Sequence, residues 1–172
     1  MRWLLTSLSI VVLLAAPIRA QTALTPAKGT LNEQDRTFVN QAAAGGLAEV
    51  AAGKIAEQKA QKEAVKDFAR QMITDHSKAN DRLTQIASQQ SVKVPTAPDE
   101  THAAAAERLK KLSGAEFDNA YMQQQVQDHR TTIQLFQKEA SSGQNASLKA
   151  FAAETLPTLQ RHLQMAQGIV GK

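Results

Sequence analysis

Apolar residues recur along this chain at alternating spacings of four and three, which places them on one seam of an α-helix. One such seam covers residues 65–86 and has a histidine, His76, at its centre. Because the imidazole of His76 lies on the apolar seam, we expect it to point into the protein. The members of this seam are Val65, Ala69, Met72, His76, Ala79, Leu83 and Ile86.

Two further segments repeat this pattern, and each of them also carries a histidine on its apolar face. Imidazole nitrogens that leave water need hydrogen-bond partners or a metal ion. Three inward histidines therefore predict a polar layer inside the protein. The first of these faces contains His129 with Met122, Val126, Ile133, Phe136 and Ala140, and the second contains His162 with Leu148, Phe151, Leu159, Ala166 and Ile169.

The periodicity and its interruptions predict four long helices and one short helix. Pro95 and Pro98 end the second long helix and begin a crossover, because proline disfavours helical geometry in the residue before it. Pro157 lies inside the last helix, where it removes one backbone hydrogen bond. The first two predicted helices run from Asn32 to about Ala60 and from about Glu63 to Gln90. The short helix runs from about Glu100 to Lys111, and Ser113-Gly114 separates it from a long helix that ends near Ser141. The last helix runs from about Ala146 to Val170.

The connections between these helices indicate the fold. Short turns near Gln61 and Gly143 predict two antiparallel hairpins, and the connection between the hairpins is long enough to run the length of a bundle. This is the pattern of an all-α, ferritin-like four-helix bundle with a long crossover, containing a short helix, between helices two and three. An up-down-up-down bundle is the alternative, but the helical content of the crossover disfavours it. We assign residues 32–170 to this single domain.

The amino-terminal segment has the features of a secretory signal. Arg2 precedes an apolar run over residues 3–16, and Ala20 supplies the small residue that signal peptidase requires. That run is shorter than the roughly 20 residues of a membrane-spanning helix, and no later segment is long and apolar enough to span. We therefore predict a signal peptide over residues 1–20, a flexible leader over residues 21–31, and an exported, periplasmic protein without a transmembrane anchor.

Charge and cysteine content narrow the classes of function. The chain has 20 Lys and Arg against 16 Asp and Glu residues, and cleavage after Ala20 would remove two of the basic residues, Arg2 and Arg19. No Lys- and Arg-rich block is interleaved with aromatic residues, so nucleic-acid binding is disfavoured. The absence of cysteine excludes disulfides and anchorage through a lipid-modified cysteine.

The polar residues on the seams predict a metal site. A helix rises by about 1.5 Å per residue, so counting residues from the first turn places Glu49 within roughly 5 Å of His76 along the bundle axis. His129 and His162 have similar heights in the second hairpin. One carboxylate and three imidazoles suit a single transition-metal ion, with zinc, copper, nickel and iron as candidates. The predicted ligands are Glu49, His76, His129 and His162.

Ferritin-like di-iron sites have a glutamate three residues before a histidine. The corresponding residues here are Ile73, Val126 and Leu159, so the di-iron pattern is absent and an oxidase or ferroxidase is disfavoured.

The chain contains several short motifs: Asp35 to Phe38, Gly46 to Glu49, Phe68 to Met72, Asp75-His76, Phe117-Asp118 with Tyr121, Asp128-His129, Leu156-Pro157 and His162-Leu163. Together they resemble an exported bacterial family called domain of unknown function 4142. The resemblance extends from about Asn32 to Val170, and its most specific elements are the paired Asp-His motifs and the Leu-Pro before the last histidine. It implies a ferritin-like fold and a periplasmic or outer-membrane location, and it implies no particular reaction.

Two functional hypotheses follow, together with a weaker third. The first is an exported transition-metal-binding or stress-related binding protein with no assigned reaction. The second is a metal-free structural or interaction module, in which Gln125, Thr132 and Thr155 satisfy the buried histidines. The third, an enzyme acting on peroxide or superoxide, would require a redox metal. No nucleophile–base pair or phosphate-binding loop is recognisable, and no catalytic residue is assigned.

We also predict the surroundings of several residues near the predicted metal site. Asp75 and Asp128 each precede a histidine by one residue, so we expect them to be solvated or to support a ligand rather than to bind the metal. His102 is expected to face water from the crossover. Gly45 and Gly46 are costly inside a helix, and the close approach of a neighbouring helix is the expected reason for both.

Overall fold

The structure of this protein is a computed structural model that describes residues 31–170. The predicted signal peptide, and the predicted leader except for Leu31, lie outside the described residues. Between residues 31 and 170 the chain contains helices and no strands, which confirms the all-α prediction. The helices are α1 (Glu33–Lys59), α2 (Glu63–Gln89), α3 (Glu100–Lys110), α4 (Gly114–Ser142) and α5 (Ala146–Val170).

Local chemistry accounts for the helix boundaries. The side chain of Asn32 accepts a hydrogen bond from the backbone N–H of Asp35 at 2.9 Å and thereby caps α1. At the end of α2, Ser91 adopts a left-handed conformation with φ 57°, and the N–H of Val92 donates to the carbonyl of Ala87 at 2.9 Å. This is the Schellman arrangement, in which glycine is the usual left-handed residue. The prolines that follow prevent the helix from resuming.

Two buried aspartates join the two hairpins and fix their relative direction. Asp35, near the start of α1, accepts backbone N–H groups from Gln144 and Asn145 in the α4–α5 turn, both at 2.9 Å. Asp118, near the start of α4, accepts those of Gln61 and Lys62 in the α1–α2 turn, at 2.9 and 2.8 Å.

These contacts place the start of each of the two helices beside the end of the other, so α1 and α4 run antiparallel. The crossover between α2 and α4, which contains α3, therefore runs from one end of the bundle to the other. The predicted ferritin-like arrangement is confirmed.

The apolar core forms two clusters, one towards each end of the bundle. At one end Phe38, Phe136 and Phe151 are buried, and their ring centroids are 5.0 to 6.2 Å apart. At the other end Phe68 and Tyr121 are buried with a centroid separation of 6.2 Å. The buried polar residues at mid-height of the four long helices lie between these clusters. The fold thus holds a polar layer between two apolar ones.

None of the helices within residues 31–170 combines the length and the apolar character that crossing a bilayer requires.

Candidate metal centre

Three of the four predicted ligands meet in the polar layer. His76 on α2, His129 on α4 and His162 on α5 are 7%, 1% and 1% exposed. Their ring centroids are 5.4 to 5.6 Å apart. One ring nitrogen from each histidine lies within 4.8 Å of the corresponding nitrogens of the other two. Three helices therefore direct imidazole nitrogens towards one point in the interior.

The hydrogen bonds of His129 define which of its nitrogens is free. Its Nδ1 lies 3.0 Å from the backbone carbonyl oxygen of Gln125, one helical turn earlier. A carbonyl oxygen only accepts hydrogen bonds, so Nδ1 carries the proton and donates. In the neutral ring Nε2 therefore has a lone pair, and this nitrogen faces the other histidines.

His162 is oriented by Asp75 in the same way. Its Nε2 lies 2.9 Å from Oδ2 of Asp75 on α2, which also accepts a hydrogen bond from Gln71 at 2.6 Å. Partial burial raises the pKa of Asp75, but the hydrogen bonds from Gln71 and His162 outweigh it and leave the pKa below its usual value. An ionised carboxylate only accepts, so Nε2 of His162 donates and its Nδ1 has the lone pair.

The two lone pairs face each other across a short distance. Nε2 of His129 and Nδ1 of His162 are 3.4 Å apart, but neither nitrogen has a proton to share in the neutral state. Tetrahedral zinc with Zn–N distances of about 2.0 to 2.1 Å requires nitrogen pairs separated by about 3.3 to 3.4 Å. Nε2 of His76 is also buried and has no hydrogen-bond partner among the described residues. His129 and His162 thus offer two lone pairs at a spacing suited to a metal ion, and the inward nitrogen of His76 lies within 4.8 Å of both.

The interior keeps these imidazoles neutral. Burial lowers the pKa of His76 well below its usual value, and the two neighbouring histidines lower it further. Burial also lowers the pKa of His129, and it lowers that of His162 to about 4. Neutral imidazole is the form that binds metals, so the nitrogens are available near neutral pH without loss of a proton.

Glu49, the fourth predicted ligand, lies behind His129. Its Oε2 accepts a hydrogen bond from Nε2 of Gln125 at 2.6 Å, and its Oε1 is 3.7 Å from Nδ1 of His129. Nδ1 is the nitrogen that donates a hydrogen bond to the backbone of α4, so the carboxyl group of Glu49 lies on the opposite edge of the His129 ring from the free Nε2. Burial raises the pKa of Glu49 to about 8. Direct metal binding by Glu49 stays a prediction.

The hydrogen-bond network hypothesis is only partly matched by the contacts. Gln125 does hold His129, but it does so through its backbone carbonyl. The hydroxyl of Thr155 donates to the carbonyl of Phe151 at 2.7 Å instead of to a histidine. Oε1 of Gln125 and the hydroxyl of Tyr121 are buried without hydrogen-bond partners among residues 31–170. In the sequence Tyr121 stands out only as part of a family motif, and no local pattern predicts its unsatisfied hydroxyl.

The fourth histidine is separate from the cluster. Nδ1 of His102, on α3, is 2.7 Å from Oδ2 of Asp99, and the His102 side chain is 32% exposed. Asp128, one residue before His129, lies with His102 in a groove on the outer side of Glu49. Neither residue belongs to the buried triad, and His102, which was predicted to face water, does so only in part.

Comparison with known proteins supports the family and the fold. The family model described as "Domain of unknown function (DUF4142)" matches residues 20–169. A search of curated proteins finds no match. Among solved structures, a DUF305 fragment from Deinococcus radiodurans is similar, with a TM-score of 0.73 and 10% sequence identity over 83% of this chain and 99% of that chain. At this identity the likeness supports the helical fold alone.

Proposed function

We propose that this chain, which belongs to the family described as domain of unknown function 4142, is an exported protein that binds one transition-metal ion. In this proposal His76, His129 and His162 are the ligands, and Asp75 orients His162. The observation that carries it is the convergence of three buried imidazoles: the inward nitrogens of His129 and His162 have no protons to share, and Nε2 of His76 has no hydrogen-bond partner among residues 31–170. We assign binding to this site and no reaction.

The chemistry of the donors limits the choice of metal. Three neutral imidazoles without a thiolate suit zinc, copper and nickel, while oxygen-rich sites suit harder ions such as magnesium and manganese. Iron is a weaker candidate, because the carboxyl groups beside the triad do not face its lone pairs: Glu49 lies behind His129, and Asp75 accepts a hydrogen bond from Nε2 of His162. The 3.4 Å nitrogen pair fits a tetrahedral edge, and a small movement of the His76 ring would complete the triangle.

Metal binding to the folded state should raise thermal stability. A ligand at a hundredfold excess over its dissociation constant stabilises the native state by about 2.7 kcal/mol. We therefore expect an untagged mature protein, stripped with a chelator, to melt at a higher temperature with zinc, copper or nickel. Unchanged melting with all three metals and with iron would contradict the proposal and favour the metal-free module.

Two histidine variants make this test specific. His129→Leu should abolish the metal-dependent rise, and His102→Ala, which changes the histidine outside the cluster, should keep it. The carbonyl of Gln125 also accepts the backbone N–H of residue 129 within α4, so the leucine leaves no unsatisfied partner there. We expect the metal-free stability of His129→Leu to equal or exceed that of wild type. A loss of about 1 to 3 kcal/mol would instead indicate a structural network.

The exported location has a separate test, because residues 1–20 lie outside the described structure. We expect protein made in an exporting host to begin at Gln21. An intact mass that retains residues 1–20 would contradict cleavage after Ala20.

A further inference from the structure

A groove on the bundle surface lies between α1 and α4, beside the buried triad. It has a volume of about 280 Å³. The lining includes the carboxyl groups of Glu49, Asp99 and Asp128, and it contains no lysine or arginine. Hydrogen bonds from the backbone and side chain of His102 keep the pKa of Asp99 below its usual value. The groove is therefore a polar recess that favours a cation over an anion.

A smaller cavity lies deeper, against His76 of the triad. It measures about 30 Å³, enough for about one or two water molecules. His76, whose Nε2 has no partner among the described residues, is part of its lining, and so is Asn80. The cavity and the groove have five lining residues in common, so the two spaces are adjacent. The shared residues are Gln41, Gly45, Glu49, Thr132 and Leu135.

Close packing does not explain why the shared residue at position 45 is a glycine. Glycine inside a helix costs about 1 kcal/mol relative to alanine. A β-carbon at Gly46 would collide with Asn80 of α2, so close helix approach explains that glycine, as predicted. A β-carbon at Gly45 would have no atom within 4 Å, so the same prediction is wrong for Gly45. The missing side chain instead leaves open space where groove and cavity meet.

We propose that this groove and cavity form the access path through which a hydrated divalent cation reaches the histidine triad, with Gly45 keeping the connection open. This inference rests on the proposed metal binding. Asp99 and Asp128 attract the ion at the mouth, Glu49 and Thr132 line the connection, and His76 is the first ligand that the ion meets.

Stopped-flow measurement of zinc uptake tests the path. Gly45→Leu would fill the connection without changing any ligand, and we expect the rate constants for zinc association and for chelator-induced release both to fall by about tenfold or more. The equilibrium dissociation constant should stay within about twofold, because both rates change together. Gly45→Ala should show a smaller effect in the same direction, and it keeps the test valid if the leucine variant folds poorly.

Gly168→Leu is the matched control. Gly168 is also inside a helix and has no atom within 4 Å of a β-carbon, but it is exposed on α5 and lines neither cavity. Its zinc kinetics should equal those of wild type. Wild-type kinetics in both Gly45 variants would overturn the path while leaving metal binding intact. Absence of zinc, copper and nickel binding in wild type would overturn the proposed function and the path with it.

The effect of the negative charge of Asp128 at the opening of the groove is measured separately, through the salt dependence of zinc association. Asp128→Asn should slow zinc association at low salt, and the difference from wild type should shrink as salt screens the attraction. Release should be unchanged, since Asp128 acts on the approach of the ion. An equal effect at low and high salt would contradict the steering role.

Discussion

Replacing Glu49 by glutamine tests the electrostatics of the polar layer in the metal-free protein. Burial raises the pKa of Glu49 to about 8, so the folded protein holds this side chain as a neutral acid at pH 7. The unfolded chain has an ordinary glutamate, with a pKa near 4.5. Glutamine imitates the neutral acid in shape and can accept the same hydrogen bond from Gln125. Glu49→Gln should therefore fold normally and remove the titration.

The sign of the pH effect follows from the proton count. Between pH 4.5 and 8 the folded state holds a proton on Glu49 that the unfolded state has lost, so the unfolding free energy falls as pH rises. Each pKa unit corresponds to about 1.36 kcal/mol, which gives about 2 kcal/mol between pH 6.5 and 8. The buried histidines act in the opposite sense. Folding lowers their pKa values, so below about pH 6.5 the unfolded state binds more protons and the unfolding free energy of the protein falls. Wild type should therefore be most stable near pH 6.5.

Urea denaturation with chelator present, repeated between pH 5 and 9, measures this effect. From pH 6.5 to 8 wild type should lose about 2 kcal/mol relative to Glu49→Gln, because the histidines contribute equally to both proteins and cancel in this difference. Glu57→Gln is the matched control, because Glu57 is an exposed glutamate on the same helix, and it should follow wild type. Parallel loss of stability in wild type and Glu49→Gln would mean that Glu49 is ionised in the folded protein.

Two further substitutions test single contacts. Asp75→Asn keeps the size of the side chain but removes the charge that orients His162. Loss of such a supporting contact weakens metal affinity by about 10- to 100-fold, which calorimetric titration would measure. Unchanged affinity would contradict the role of Asp75. Ser91→Gly relieves a left-handed conformation that costs an L-residue about 1 to 2 kcal/mol, partly offset by the entropy of glycine in the unfolded chain. We expect a gain of about 0.5 to 1 kcal/mol in urea denaturation, and a loss would refute this account of the α2 end.

The sequence predicted the helices and the inward histidines because both depend on periodicity. His76, His129 and His162 each lie on an apolar seam, and a seam position determines burial almost independently of the neighbouring helices. The turns predicted how far along the bundle axis these residues lie, since counting residues from each turn placed the four polar side chains at similar positions. The same counting could not show that Glu49 lies behind His129, because the rotation of α1 about its axis depends on packing against α2 and α4.

Contacts between the hairpins were beyond the reach of local patterns. Asp35 had the features of an ordinary first-turn acid that complements a helix dipole, but it is buried and holds the α4–α5 turn. Asp118 holds the opposite turn, and although it belongs to a family motif, no periodicity or capping pattern indicated this contact. Both roles depend on backbone N–H groups far away in sequence. They become visible only when the two hairpins are packed together.

The pH dependence of metal binding separates the buried triad from an adventitious surface site. An ordinary imidazole, with a pKa near 6.5, loses metal to protons below that pH. Burial lowers the pKa values of the triad, that of His162 to about 4, so protons compete for its nitrogens only in more acid solution.

The metal-dependent rise in melting temperature should therefore persist at pH 5.5 and disappear as the pH approaches 4. A rise that is lost between pH 7 and 6, and that is abolished by His102→Ala, would instead assign the binding to the partly exposed histidine of α3. In that case the triad would hold no metal.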